Sequence, residues 1–349
     1  NHLTLTDHRN IKYAELTPDP HLTVLCGPNG QGKTNLLEAV WLLTGGKSFR
    51  GSKDAELIRR GCDFSVIEGA FETEDCAKTI RLTVGSKGSQ RPGRTAKLNG
   101  VDQGRAAALA GNFQAVVFEP DLLSLVKGGP EGRRRFLDSA LCQVYRPYLV
   151  ALRRYTRLVA QKNALLKSYE ITPNASLLLD AYNEHRRKFI AELAPIAAKN
   201  YSEISHDAEV LQLNYQLCAN NTTADALAEK LESVKNAELR AGFCLAGPHR
   251  EDLEIKLDDQ PARVFGSQGQ QRSCVLAMKL AEASVVGSLF GEHPVLLLDD
   301  VLSELDDERQ TYLLTRMGEH QTIVTTCDTA AFARTNGKIV MVKAGTVTE

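Results

Sequence analysis

The chain has 349 residues, 43% of them hydrophobic and 24% charged, with a formal net charge of −1. These are the proportions of a soluble globular chain, and the length predicts roughly two domains. A charge so near zero says nothing by itself about partners, so any nucleic-acid contact must rest on locally concentrated basic residues. The eight cysteines stand at 26, 62, 76, 142, 218, 244, 274 and 327, no two closer than 14 residues. That excludes C-x-x-C and zinc-ligand spacings and fits free thiols in a reducing, cytoplasmic setting. No signal-peptide pattern and no apolar run of about eighteen or more residues is visible, so no membrane partner is expected. The chain begins at Asn1 and not Met, so a few preceding residues are expected.

Residues 1–20 read as two short strands with a turn near Asp7-His8-Arg9-Asn10. An apolar run from His21 to Cys26 predicts a strand, and Asn35 to Leu43 predicts a helix, ended by Gly45-Gly46. Lys47 to Gly51 is a basic loop expected close to a bound nucleotide. A short helix is predicted over 54–60 and antiparallel strands from Phe64 to Val84. Leu98-Asn99-Gly100-Val101 signals a hairpin, and Ala115 to Phe118 a short strand. From Asp121 to about Leu239 strand alternation nearly vanishes. Leu137, Leu141, Val144, Leu149, Leu152, Tyr155, Leu158 and Val159 recur at helical spacing. Helices are predicted over 177–193 and 194–210, with one strand at Leu211 to Cys218. Strand character returns at 241–245 and 253–257, either side of Gly247-Pro248-His249-Arg250-Glu251-Asp252. A long helix is predicted over 267–289, a buried strand at Val295 to Leu298, a helix over 305–317, and strands at 322–326 and 339–342. The expected organisation is an α/β domain from 1–120 and 240–349, interrupted by a mainly helical lobe, 121–239.

The segment between the first buried strand and its helix fits G-x-x-x-x-G-K-[ST] at Gly27, Gly32, Lys33 and Thr34. Glycines let successive backbone N–H groups face one anion, and the helix N-terminus adds partial positive charge. The loop Gly27, Pro28, Asn29, Gly30, Gln31, Gly32, Lys33 and Thr34, with Asn35, is the candidate nucleotide cradle. Lys33 is expected to reach the β- and γ-phosphates, and the Thr34 hydroxyl to hold Mg²⁺. The apolar run Val295 to Leu298 ends in Asp299 and Asp300. Beside a phosphate loop, Asp299 is the candidate metal carboxylate, and Asp300 is placed to orient or deprotonate an attacking water. Ser303, Glu304 and Asp306 follow in a short acidic loop. It reads either as a contact with a second subunit or as an ordinary helix cap by Ser303 with Asp306 at its third position. Ser267 and Gln270 have capping-box spacing at the start of the long helix. That start, with Gly269 and no acidic residue, reads equally as a second anion site, which would imply two subunits enclosing ATP, or as a well-capped core helix.

Gly27 to Thr34, Gly266 to Arg272, Asp299-Asp300 and Ser303 to Asp306 together resemble ABC-type ATPases of the SMC kind. With Arg133 to Asp138 and Gly247-Pro248-His249-Arg250 with Asp252 added, the chain more specifically resembles the RecF family of bacterial recombination mediators, in the right order over nearly the whole chain. The resemblance implies an ABC-type P-loop ATPase head with mixed sheets and an inserted helical lobe. It further implies ATP and Mg²⁺ as cofactors and an ATP-dependent head-to-tail homodimer. Such proteins bind single-strand/duplex junctions of gapped DNA and act with RecR and RecO to load RecA in repair and the SOS response. Hydrolysis in them is weak and DNA-dependent. Carried over by position, Lys33 and Asp300 are the catalytic residues, Thr34 and Asp299 hold Mg²⁺, and Ser267, Gln268, Gly269 and Gln270 contact the other subunit's ATP. Asp300 stands where most ABC-type ATPases carry Glu, and Thr326 where many carry a phosphate-sensing His, both of which imply slow turnover. Candidate DNA contacts are Arg133, Arg134, Arg135, Arg153, Arg154, Arg186 and Arg187, together with the loop from Lys87 to Lys97. The alternative is the nucleotide-binding subunit of an ABC transporter.

Overall fold

The computed structural model describes residues 1–348 except 75, 91, 121–122, 169–179, 220–223, 330–331 and 333–336. In chain order the first elements are β1 (His2–His8), β2 (Ile11–Leu16), β3 (Leu22–Cys26), α1 (Lys33–Leu42), β4 (Phe64–Glu72), β5 (Ala77–Gly85), β6 (Gly93–Leu98), β7 (Val101–Arg105) and β8 (Ala115–Phe118). There follow α2 (Ser124–Lys127), α3 (Pro130–Val144), α4 (Arg146–Ser168), α5 (Asp180–Ser205), β9 (Leu211–Gln216), α6 (Ala224–Ala241), β10 (Asp252–Leu257), β11 (Gln260–Pro261), α7 (Ala262–Phe265) and α8 (Gln268–Phe290). The chain ends with β12 (Val295–Asp299), α9 (Asp307–Arg316), β13 (Thr322–Thr326), β14 (Lys338–Lys343) and β15 (Thr346–Thr348). It packs as two units, Asn1–Asp121 with Val286–Glu349, and Leu122–Val285.

The first unit holds two six-stranded sheets, ordered β2-β1-β4-β5-β6-β7 and β15-β14-β3-β13-β12-β8. The former is antiparallel throughout its pairings. In the latter, β14, β3, β13, β12 and β8 are all parallel. Parallel register (Leu25 beside Thr325, Leu298 beside Val324) brings Cys26, Thr326 and Asp299 to one edge. That carboxyl edge is where open α/β sheets bind ligands. The strands are buried, and on one face Leu25, Leu297 and Ile323 share one core with Leu3, Leu5 and Leu82 of the antiparallel sheet. Helix α1 is also part of that core, with Leu36, Leu37, Ala39, Val40, Trp41 and Leu42 all buried.

The second unit packs α2 to α7 and most of α8 with the three-stranded sheet β11-β10-β9. The sequence placed the return to the first domain at residue 240, but residues up to Val285 belong to this unit. The reason is non-local: β10 pairs along its whole length with β9, Leu253 opposite Tyr215 and Ile255 opposite Leu213. The strand expected at 241–245 is not formed. Helix α6 runs to Ala241 and the chain then turns. The two helices expected to meet at Ala194 are one, α5, which passes through Pro195. Proline removes a helix hydrogen bond and crowds the preceding turn, but the buried stripe Phe189, Ile190, Leu193, Ala197 and Tyr201 runs past it unbroken. The beginning of the expected 177–193 helix lies outside the described residues, and the 54–60 helix is only a 3-10 turn, Asp54–Leu57. Helix α8 is long and apolar enough to cross a membrane by composition, but 72% of that window is buried within the protein, as in a core helix.

Candidate nucleotide site

The loop after β3 curls as its glycines allow. Gly27 has φ 156°, and a Cβ there would lie 2.2 Å from the Val342 carbonyl oxygen. Gly32, at φ 112°, opens helix α1. Lys33 is buried, and its Nζ donates to the loop's own carbonyls, Gly27 O at 2.5 Å and Pro28 O at 3.1 Å, with Cys327 Sγ at 3.4 Å. The ammonium is thus curled back over the concavity where anion-seeking N–H groups converge. The loop is pinned from outside by β14's end: Gly345 N donates to Gln31 O at 2.9 Å and Ala344 N to Gln31 Oε1 at 2.6 Å. Asn29 Oδ1 takes a contact from Cys327 Sγ at 3.0 Å.

Thr34 Oγ1 donates to Asp299 Oδ1 at 2.8 Å, joining positions 265 residues apart. Thr325 Oγ1, from the neighbouring strand, donates to the same oxygen at 2.8 Å and accepts from Asp300 N at 2.9 Å. Asp299 is only 4% exposed. Burial raises its pKa against the opposing pull of Thr34 and Thr325. A desolvated carboxylate is relieved by a cation, and one carboxylate beside one hydroxyl, with phosphates and water completing the shell, is what Mg²⁺ accepts. Among the described residues no cluster of three His, Cys, Asp or Glu offers an all-protein metal cage. Asp300 adopts the left-handed region, φ 54°, unusual for a residue with a side chain. That turn ends the strand. Ser303 Oγ donates to Asp300 O at 2.7 Å. Asp306, not Ser303, caps α9, accepting from Arg309 N at 3.0 Å. Ser303, Glu304 and Asp306 are all exposed.

A supporting layer was invisible to motif reading. Arg9, in the β1–β2 turn, grips Glu38 of α1 with Nε and Nη2 at 2.7 and 2.8 Å. Ser48 Oγ donates to Glu38 at 2.5 Å, and Arg9 also reaches Ser52 Oγ at 2.6 Å. Burial opposes the charge on Glu38, but Arg9 and Ser48 outweigh it and hold its pKa low. Asn35 Nδ2 donates to Asn10 Oδ1 at 2.8 Å, and Arg50 Nη1 donates to Asn35 Oδ1 at 2.9 Å. The 47–52 loop is thereby tied to the phosphate-loop helix, and the Arg50 charge partly opposes the burial-driven rise of the Asp299 pKa. Only the basic character of that loop hinted at this.

In the second unit, Ser267 Oγ accepts from Gln270 N at 3.2 Å while Gln270 Oε1 accepts from Ser267 N at 2.6 Å, a complete capping box. Gln270 also donates to Glu209, Ser267 and Gln268 are exposed, and the first turn of α8 carries no acid. Two of the arginines read as DNA contacts are not available. Arg133 is 6% exposed and forks onto Asp252 at 2.7 and 2.8 Å. Arg186 is 1% exposed and binds Asp138 at 2.6 Å, Tyr215 at 3.1 Å and Pro248 O at 3.0 Å. Both are structural cations. Arg134 is half-buried, donating to Glu251 O at 2.8 Å, whereas Arg135, Arg153, Arg154 and Arg187 are exposed.

Residues 1–348 match the family model described as the RecF/RecN/SMC N terminal domain. The chain is 41% identical over 342 residues to the DNA replication and repair protein RecF of Macrococcus caseolyticus, covering 93% of this chain and 91% of that protein. It is 39% identical over 344 residues to RecF of Bacillus mycoides, covering 93% and 90%. Among solved structures, the recombination mediator protein RecF-ATPrS in the RecFOR pathway superposes with a TM-score of 0.89 at 30% identity, covering 99% of this chain and 96% of that one. An Smc head bound to the C-winged helix domain of ScpA shares the fold, with a TM-score of 0.57 at 18% identity over 99% of this chain and 96% of that one. The fold is that of an SMC-type ATPase head, and the chain belongs to the RecF family.

Proposed function

We propose that this protein is an ATP-gated DNA-binding recombination mediator. The observation that carries the reading is the Thr34–Asp299 pair at 2.8 Å, at the carboxyl edge of the parallel sheet and beside a complete phosphate loop. The solved relatives described as RecF-ATPrS and RecF-ATP in the RecFOR pathway support ATP as the nucleotide. On binding, Lys33 exchanges the Gly27 and Pro28 carbonyls for the β- and γ-phosphate oxygens. Thr34 and Asp299 hold Mg²⁺, which neutralises phosphate charge. Asp300 orients the attacking water; with a shorter reach than Glu it supports slow, weak, DNA-dependent hydrolysis. The Ser267, Gln268, Gly269 and Gln270 turn of a second copy closes over the γ-phosphate, with Ser303, Glu304 and Asp306 touching that copy. Dimer closure is the state read by gapped or junction DNA and by RecO and RecR, which together promote RecA loading in repair and the SOS response in the cytoplasm.

Sedimentation with ATP and with ADP, with and without gapped duplex, tests this. The expected result is an ATP-dependent dimer that binds gapped DNA and is lost in Lys33→Arg. A protein that stays monomeric with ATP and ignores gapped DNA would refute it.

A further inference from the structure

The second unit contains a cleft of about 190 Å³. One wall is α3, through Glu131, Arg134, Arg135 and Asp138, and the facing wall is α4, through Leu152, Tyr155, Thr156 and Val159. Both sets follow the i, i+3, i+4, i+7 spacing of a single helix face. His249 reaches in from the turn Pro248–Arg250. The α4 wall is mainly apolar, with Thr156 exposed and Tyr155 only 6% exposed. Tyr155 bonds His249 Nδ1, and their rings lie 5.8 Å apart. Burial drives the His249 pKa down to about 4, so it offers a neutral ring and not a charge.

The rim is cationic. Arg135 is 68% exposed, while Arg153 and Arg157 are exposed on α4 but do not line the cleft. Arg134 is anchored by Nη1 to Glu251 O, which fixes its guanidinium at the mouth. Of the two acids, Asp138 is engaged by Arg186 at 2.6 Å and by Tyr148. Glu131 lies 3.5 Å from Arg135 and is itself exposed. The floor is built and stiff, because the buried Arg186 ties Asp138, Tyr215 and the Pro248 carbonyl together.

We propose that this cleft seats one unpaired nucleobase of a DNA strand, with the adjoining phosphates on Arg134 and Arg135. The proposal rests on the DNA-binding reading above and names the site and the state of the DNA that it takes. The cleft is smaller than the ~300 Å³ at which pockets for whole ligands begin, so it suits a single flat group whose charged remainder stays at the rim. A partly exposed ring, here His249 backed by the buried Tyr155, combined with a basic track is a recurring solution for single strands. Bases inside a duplex are already stacked and cannot enter, which supplies a preference for gapped over blunt DNA.

The test compares wild type, Arg135→Gln and Thr156→Trp in the presence of ATP. Thr156 is exposed on α4, so the indole fills the cleft without disturbing a core. Probes are a gapped duplex carrying 2-aminopurine in the gap and a blunt duplex. Stacking is worth enough that blocking it costs about ten-fold or more in affinity. Thr156→Trp is expected to weaken gapped-DNA binding on that scale, to leave blunt-duplex and ATP affinity unchanged, and to abolish the 2-aminopurine signal, whereas Arg135→Gln is expected to weaken gapped-DNA binding and to lower its salt-dependence slope by about 0.7. Replacing Arg134 and Arg135 together should lower the salt-dependence slope by roughly 1.4. If the wild type binds gapped DNA and Thr156→Trp binds it equally well, the cleft assignment is wrong while the DNA-binding reading stands. Equal weakening of gapped and blunt DNA by Thr156→Trp also overturns the assignment, since filling a base-seating cleft should leave a duplex untouched. A wild type that binds neither DNA overturns both readings.

Discussion

His8 provides a sharp test of how the nucleotide unit is held together. The ring is fully buried, its Nδ1 is 3.3 Å from Ser65 Oγ, and its Nε2 is 4.0 Å from Glu38 without a hydrogen-bond partner. Burial lowers its pKa to about 4 from 6.5, and the nearby Glu38 only partly opposes this. The unfolded chain therefore binds a proton that the folded chain refuses between these two pH values. Unfolding free energy must rise with pH across that window, so stability is lost as pH falls from 6.5 towards 4. At about 1.4 kcal/mol per pH unit the full loss is roughly 3 kcal/mol, with about 2 kcal/mol gone by pH 5. Trp41 is the sole tryptophan, is buried in the same core, and donates from Nε1 to Lys47 O at 2.7 Å, so its fluorescence follows this unit. Urea unfolding followed at Trp41 between pH 7.5 and 5 should show the wild type losing about 2 kcal/mol more than His8→Phe. The phenylalanine loses the Ser65 contact, but that offset does not vary with pH. Parallel profiles for the two proteins would refute the buried, neutral histidine.

Three further outcomes are expected. Asp299→Asn should not lower the Trp41 unfolding midpoint at pH 7. A carboxylate whose pKa is raised by burial has its stabilising contribution at low pH and loses it as pH rises through the folded value. The same variant should lose the Mg²⁺-dependent increment in ATP affinity, and unchanged Mg²⁺ dependence would remove Asp299 from the site. Arg186→Met leaves Asp138 with Tyr148 but without its cation and should destabilise the second unit by about 2–4 kcal/mol, seen in the helical circular-dichroism transition with the Trp41 transition unmoved. Coincident or unshifted transitions would count against a structural role confined to that unit. Gly27→Ala forces a Cβ onto the Val342 carbonyl, so ATP binding, read by nucleotide fluorescence, should be abolished; retained affinity would show that the loop can move away from β14.

What was legible in the sequence was local. The phosphate loop needs consecutive residues in one conformation, and the all-apolar run into Asp299 reports a buried parallel strand by itself. The Arg9–Glu38–Ser48 cluster was not legible, because three segments that share no motif meet only after β1, β2 and α1 have packed. The domain return at Val286 was missed for a related reason: the pairing of β9 with β10 spans the whole of α6, and no feature near residue 240 reveals it.

The basic clusters show where sequence reading had the information and charge obscured it. In Arg133-Arg134-Arg135 the first arginine lies three, four and seven residues before Phe136, Leu137 and Ala140, all buried. In Arg186-Arg187-Lys188 the first lies three, four and seven residues before Phe189, Ile190 and Leu193, also buried. Helical periodicity therefore puts both leading arginines on the apolar face, and a cation there must meet an acid, as Arg133 meets Asp252 and Arg186 meets Asp138. Arg135, Arg153 and Arg154 have no such run of buried apolar residues at all three spacings, and each is exposed. A run of like charges on a helix is thus two populations, divided by the same spacing that identifies the core. Only the outward population can add to the salt-dependent hold on DNA, whereas replacing an inward member should lower stability and leave the salt slope of DNA binding unchanged.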